Sequence, residues 1–298
     1  MDNNSKIKLA IGLLVLAVIA FFTWKGITGS IDTKQAPPPP RNQFVDRVET
    51  NIKSLKDSES FDKSEYVYCI FEIDTFHNQN ELGSNSNDND RWRDILKKDA
   101  YSAYAPKFVK YAMSVFNGPT WNNSDLVFIR NEVAELKKSE YLDASSSVAS
   151  EFTKINNILN RYNEIRKFIS TCNGSKNVTS FGSLISKSKS YLAGNGLDSY
   201  VLKCSSIAAS LRGIPKVLYN KHASYLTARV NSLAPGYASF RSYSDYNSSV
   251  YDQLNMELEN FNNIYGISSS EFNSTKSQLK SIIDQELQNA YDYEYDDL

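Results

Sequence analysis

The stretch VASEFTKINNILNRYNEIRKFI, residues 148–169, decides the fold class. In it Val148, Phe152, Ile155, Leu159, Tyr162, Ile165 and Ile169 recur at intervals of three and four. A helix turns once in about 3.6 residues, so this spacing lines the apolar side chains along one narrow stripe. Such a stripe is the kind that packs helices at shallow angles.

The same period recurs on both sides. Leu126, Ile129, Val133 and Leu136 keep it behind a cap candidate, Ser124, and Phe44, Val48, Ile52 and Leu55 keep it near the start of the helical part. Tyr66, Cys69, Ile70, Ile73 and His77 keep it behind Ser64, although YVYCIFEI, residues 66–73, also reads as a buried strand. GSNSNDND, residues 83–90, has no apolar residue and is expected to be an exposed loop, with Asp90 capping a helix that carries Trp92, Ile95 and Leu96. Pro106 is expected to start a fresh helix with Phe108, Tyr111, Ala112, Val115 and Phe116, which Asn117, Gly118 and Pro119 end. In residues 173–245 Gly174, Gly182, Gly194, Gly196, Gly213, Pro215, Pro235 and Gly236 predict shorter helices. Tyr251, Leu254, Leu258, Phe261 and Ile264, then Gly266, then Phe272, Leu279, Ile282, Ile283 and Leu287 predict a closing antiparallel hairpin. Twelve glycines, and eight prolines of which half sit in one cluster, argue against a turn-rich β fold. The expectation is an all-α protein: a single transmembrane helix, a proline-rich spacer, then an antiparallel bundle of long helices built from hairpins. Its parts would be residues 1–25, 26–41, 42–172, 173–290 and 291–298, the third and fourth forming one domain or two.

The transmembrane expectation rests on LAIGLLVLAVIAFFTW, residues 9–24, the only stretch without a charge and almost without a polar residue. Leu9, Leu13, Leu14, Leu16, Ile19, Phe21, Phe22 and Trp24 would face lipid, while Lys8 and Lys25 carry their ammonium groups to the headgroups. The rival is a signal peptide cleaved after Ala20, opposed by the bulky Phe21, Phe22 and Trp24 that follow. A retained anchor makes the chain an inner-membrane, single-pass protein with its large domain on the extracytoplasmic side. The four prolines at 37–40 favour a stiff polyproline II segment, which suits a spacer. This plan resembles the single-pass envelope proteins of bacteria; the likeness is one of architecture and transfers no residue roles.

Chemistry is harder to find. A net charge of −1 and no basic run of five oppose nucleic-acid binding. Two histidines and three cysteines, Cys69, Cys172 and Cys204, with no CxxC pair, fit no zinc spacing, so neither a metal nor a cofactor is expected. Cys172 and Cys204 could pair in an oxidising compartment, and Cys69 reads as a buried thiol. Ser60–Lys63, Ser186–Lys189 and Ser277–Lys280 have the spacing of a Ser–Lys nucleophile, at the frequency chance delivers in such a chain. The oxygens of residues 84–90 lack the turn glycine and the bidentate glutamate of a calcium loop. No catalytic residue is assigned. In the segment 291–298, Tyr291, Tyr293 and Tyr295 alternate with acids and Asp296 and Asp297 follow, which reads as a docking peptide for a partner or as a solvated end. The functional expectation is therefore a non-catalytic, membrane-anchored scaffold that binds a protein partner or itself through its helical seams. One alternative is an envelope enzyme or ligand-binding domain for wall or glycan material, with Trp92 and Trp121 as stacking surfaces. Another is a component of a secretion, conjugation or phage-related assembly.

Overall fold

The computed structural model describes residues 37–233 and, beyond them, Met256, Tyr265, Ser270, residues 273–281, Asp284, Gln285 and Gln288. Among the described residues all regular structure is helical. The helices are α1 (Gln43–Asp57), α2 (Lys63–Asn78), α3 (Ser86–Asn117), α4 (Asn123–Lys138), α5 (Ser147–Gly174), α6 (Phe181–Leu192), α7 (Asp198–Val201) and α8 (Ser205–Leu233). A 3-10 turn, Val178–Ser180, leads into α6, and residues 273–281 are helical too. No described helix is long and apolar enough to cross a membrane. The expected span, Leu9 to Trp24, lies outside the described residues, as does the tail with Tyr291, Tyr293, Tyr295, Asp296 and Asp297.

The chain divides into two compact units, and α3 contributes Ser86–Ala100 to the first and its remainder to the second. In the first, Asn42 caps α1 by accepting from the Phe44 and Val45 N–H groups at 3.0 Å, and its amide donates to the Glu81 carbonyl at 2.7 Å. Val45, Val48, Ile52 and Leu55 form the buried stripe of α1. Val45 takes the place expected for Phe44, whose ring sits half-buried against Phe76 at 4.8 Å. Helix α2 buries Cys69 and Ile73, so residues 66–73 are helix and not strand; its cap is Asp62, which accepts from the Ser64 N–H at 2.8 Å. Pro37–Pro40 lies on this unit: Pro39 is buried, Arg91 donates to the Pro37 carbonyl at 2.7 Å, and the Trp92 indole donates to the Pro40 carbonyl at 3.2 Å.

Two expectations are corrected on α3. Its first turn begins at Ser86, four residues before the expected cap Asp90. The polar run works as a capping device: the Asn85 side chain accepts from the Asp88 N–H at 2.9 Å, and Asp88 accepts from Ser84 and Asn85 at 2.8 Å. Asn89, 2% exposed, ties the turn down by accepting from the Leu82 N–H at 3.0 Å and donating to the His77 carbonyl at 2.8 Å. Gly83 is fixed by the same packing, since a β-carbon there would lie 2.2 Å from the Asn89 nitrogen. Pro106 does not start a helix either; α3 runs through it, with Tyr104, Ala105 and Phe108 buried around it. Packing on both sides outweighs the lost backbone hydrogen bond.

The second unit is organised on α5, which packs on α4, α7 and α8, while α6 packs on α8. Its buried residues are Phe152, Ile155, Ile158, Leu159, Tyr162, Ile165, Phe168 and Cys172. The stripe is broader than the expected seam, because a helix with several neighbours must bury more than one line of side chains. Val148 and Ile169 fall at its margins and are half-buried. Each large apolar side chain so covered contributes about 1.5–3 kcal/mol. Leu126, Ile129, Val133 and Leu136 are all buried on α4. Phe61 stacks on Tyr111 at 4.6 Å and closes an aromatic cluster with Phe128 and Phe108.

Helix α8 corrects a further expectation, because it is continuous through Gly213 and Pro215. Proline has no N–H to offer the carbonyl four residues back, here that of Leu211. Ser188 on α6, 1% exposed, supplies the missing donor, its hydroxyl giving a 2.8 Å hydrogen bond to that carbonyl. Later on α8 the Tyr219 hydroxyl donates to Thr275 at 2.7 Å, and His222 Nδ1 lies 2.7 Å from the Tyr265 hydroxyl. Tyr265 and Leu279 are each 3% exposed; of the positions named for the closing hairpin Leu279 alone is described, and Tyr251, Leu254, Leu258, Phe261, Ile264, Gly266, Phe272, Ile282, Ile283 and Leu287 lie outside the described residues.

Candidate functional site

Two surface clefts of the second unit are lined by α5, and each is centred on an arginine. The first is the cleft of Arg161. Helix α6 ends in a turn through Gly194 (φ 71°) and Gly196 (φ 58°), a left-handed backbone that glycine adopts without strain. That turn delivers Asp198, 5% exposed, to Arg161. Nε meets Oδ1 at 2.5 Å and Nη2 meets Oδ2 at 3.0 Å, a two-pronged pair. Arg161 also donates to Glu164 at 2.8 Å and lies over the Tyr191 ring at 4.8 Å, and the Tyr191 hydroxyl donates to Glu164 at 3.1 Å. The pairing with Asp198 raises the Arg161 pKa. The bond from Arg161 holds the Glu164 carboxyl below its ordinary value, and burial, then Glu164, pushes Tyr191 up to about 12. Every charged group here is answered, so this network fastens α5 to the α6–α7 turn.

The second cleft, of about 530 Å³, opens between α4, α5 and α8. Trp121, Asn123, Tyr162, Arg166, Asn173 and Ser206 are among its walls, and none of the described residues that line it is acidic. Arg166 lies over the Tyr162 ring at 5.6 Å, and no carboxylate pairs with it among the described residues. Trp121 leans on Phe116 at 5.0 Å and on Tyr162 at 5.2 Å, and its indole donates to the Gly118 carbonyl at 3.1 Å. At 7% exposure Trp121 is chiefly a core residue that shows one edge to the cleft. Just beyond, the Lys221 ammonium donates to the carbonyls of Asn173 and Ser175, the latter at 2.9 Å, and so offsets part of the negative end of α5.

The other residues singled out in the sequence are placed as follows. Trp92, 3% exposed, is buried in the first unit. His77 pairs with Asp90 at 2.7 Å, which holds the Asp90 carboxyl below its ordinary value. Cys69, Cys172 and Cys204 are all free and buried, so Cys172 and Cys204 form no bridge. Burial, then Glu72 and Glu65, pushes the Cys69 thiol up to about 11, which makes it a poor nucleophile at neutral pH. Ser186 and Lys189 are both exposed on α6, where nothing desolvates them. Among the described residues no three His, Cys, Asp or Glu side chains are placed to hold a metal. Glu72 is spoken for: it is 5% exposed and receives Arg47 at 3.1 Å, Tyr68 at 2.9 Å and the Asn51 amide.

No known protein family, curated protein or solved structure matches this chain. Sequence reading marked Trp121 and Tyr162 but missed Arg161, Arg166 and Asp198. Single charges carry no period, and the Arg161–Asp198 pair spans 37 positions.

Proposed function

We propose that the protein is a non-catalytic, helical interaction protein held at the bacterial inner membrane by residues 9–24, with its helices on the extracytoplasmic side. The observation that supports partner binding is the outer face of α2. Cys69 and Ile73 point into the first unit, yet Val67 (51%), Tyr68 (50%) and Phe71 (66%) stand exposed at neighbouring positions of the same helix. Soluble monomers seldom leave adjoining large apolar side chains in water without a use for them. Tyr68 is held in place by its bond to Glu72, so part of this face is already ordered before a partner arrives. Anchoring is supported by the uncharged run at residues 9–24 and its lysine flanks. The acidic tyrosine tail supplies a second contact for the same partner, or for a second copy of the chain.

Affinity capture of the full-length protein from membranes tests this reading in three arms: native chain, Val67→Ser with Phe71→Ser, and removal of residues 291–298. The double substitution is expected to lose the captured partner while the helical circular dichroism stays unchanged, and loss of the tail to weaken capture. Equal recovery in all three arms overturns the interaction reading. Recovery of a soluble chain clipped near Ala20 overturns the anchor.

A further inference from the structure

We propose that the cleft between α4, α5 and α8 binds an acidic carbohydrate, its carboxylate or phosphate seated on Arg166 and Tyr162 and its hydroxyl groups on the amide and hydroxyl rim. This goes beyond the interaction role and does not depend on it. Two independent observations carry it. The first is Arg166: among the described residues no acid lines the cleft and none takes the guanidinium's edge donors, while its face lies over the Tyr162 ring. A planar fork of donors matches a carboxylate or phosphate, and an arginine so presented is suited to recognition. The second is Tyr162, which is 8% exposed yet has no hydrogen-bond partner for its hydroxyl among the described residues. A phenol buried to that degree normally finds a partner, because leaving it without one costs free energy. Its hydroxyl is not sealed from solvent either, since the one fully buried, unpartnered side-chain oxygen among the described residues belongs to Glu65. The open side available to Tyr162 is the cleft it lines.

The rest of the wall fits a sugar. Asn123 and Asn173 each carry an amide that both donates and accepts, and Ser206 adds a hydroxyl, the pairing set that ring hydroxyls need. Ile207, 6% exposed, and the Trp121 edge give an apolar floor for C–H groups. The volume, about 530 Å³, lies within the range of small-molecule sites. Lys221, on the Asn173 and Ser175 carbonyls, reduces the opposition that the negative end of α5 offers to an anion.

The test is calorimetric titration of the full-length protein, in detergent at low ionic strength, with glucuronate, glucose 6-phosphate and neutral glucose. At least one of the two acids is expected to bind and glucose to bind at least tenfold more weakly; which acid binds identifies the oxyanion. Arg166→Gln is expected to weaken binding tenfold or more, and Tyr162→Phe several-fold, each with an unchanged melting temperature. The proposal is overturned if neither acid binds the native chain, if glucose binds as tightly as the acids, or if Arg166→Gln leaves the affinity unchanged.

Discussion

Arg161 and Arg166 stand five positions apart on one helix and have opposite surroundings. Arg161 meets two carboxylates and an aromatic ring, and its principal partner Asp198 is buried. Arg166 meets an aromatic ring and a cleft with no acid among the described residues. The same side chain therefore serves two ends. Where its charge is answered internally it locks a turn onto a helix; where it is left open the fold keeps a cation in reserve. The first arrangement is read in stability and the second in binding, so the two can be separated by experiment.

The largest effect expected is from Arg161→Ala, which strands the Asp198 carboxylate in a buried position. Discounted for the partial exposure of Arg161, the loss should be about 3 kcal/mol in denaturant unfolding. A loss under about 0.5 kcal/mol, the scale of an ordinary surface change, would erase the contrast between the two arginines. Next comes Ser188→Ala, which leaves the Leu211 carbonyl buried without a donor and should cost about 1–3 kcal/mol. The same substitution made on top of Pro215→Ala should cost much less, because the regained N–H reaches that carbonyl.

Acid and alkaline unfolding also separate the two arginines. The folded pKa of Glu164 lies below its ordinary 4.5, so its contribution is present above 4.5 and is lost as pH falls through the folded value. Tyr191 has the opposite sign: raised from 10 to about 12, it contributes below pH 10 and loses that contribution as pH climbs through 12. Arg161→Ala should flatten the acid limb of a stability–pH curve, while Arg166→Ala should leave both limbs in place. The smallest effect belongs to the open side. Arg166→Ala should change stability by less than about 0.5 kcal/mol. Ser170→Asp, one turn further along α5, gives Arg166 an acid and should add only about 0.2–0.5 kcal/mol while abolishing glucuronate or glucose 6-phosphate binding.

Much of the helical framework was legible because it is periodic. All four apolar positions predicted on α4 are buried, and five of the seven on α5 are buried too. What escaped is what has no period. Pro106 and Pro215 read as breaks because local preference opposes a helix there, yet Phe108 in one case and Leu211, Ile214 and Leu218 in the other hold the helix together by burial. The start of α3 escaped because serine, asparagine and aspartate favour loops and caps alike, and only the bonds between Asn85 and Asp88 decide which. The Arg166 cleft escaped because its walls come from three helices far apart in the chain.

Ser188 and Pro215 carry a historical consequence. A lineage that trades Pro215 for another residue first meets no penalty at Leu211, because the new amide serves that carbonyl and the serine becomes dispensable. A lineage that loses Ser188 first must pass through a weakened ancestor. The order of inheritance is thus one-way: in descendants the proline should be found with a hydroxyl-bearing partner on α6, whereas that partner can persist after the proline has gone.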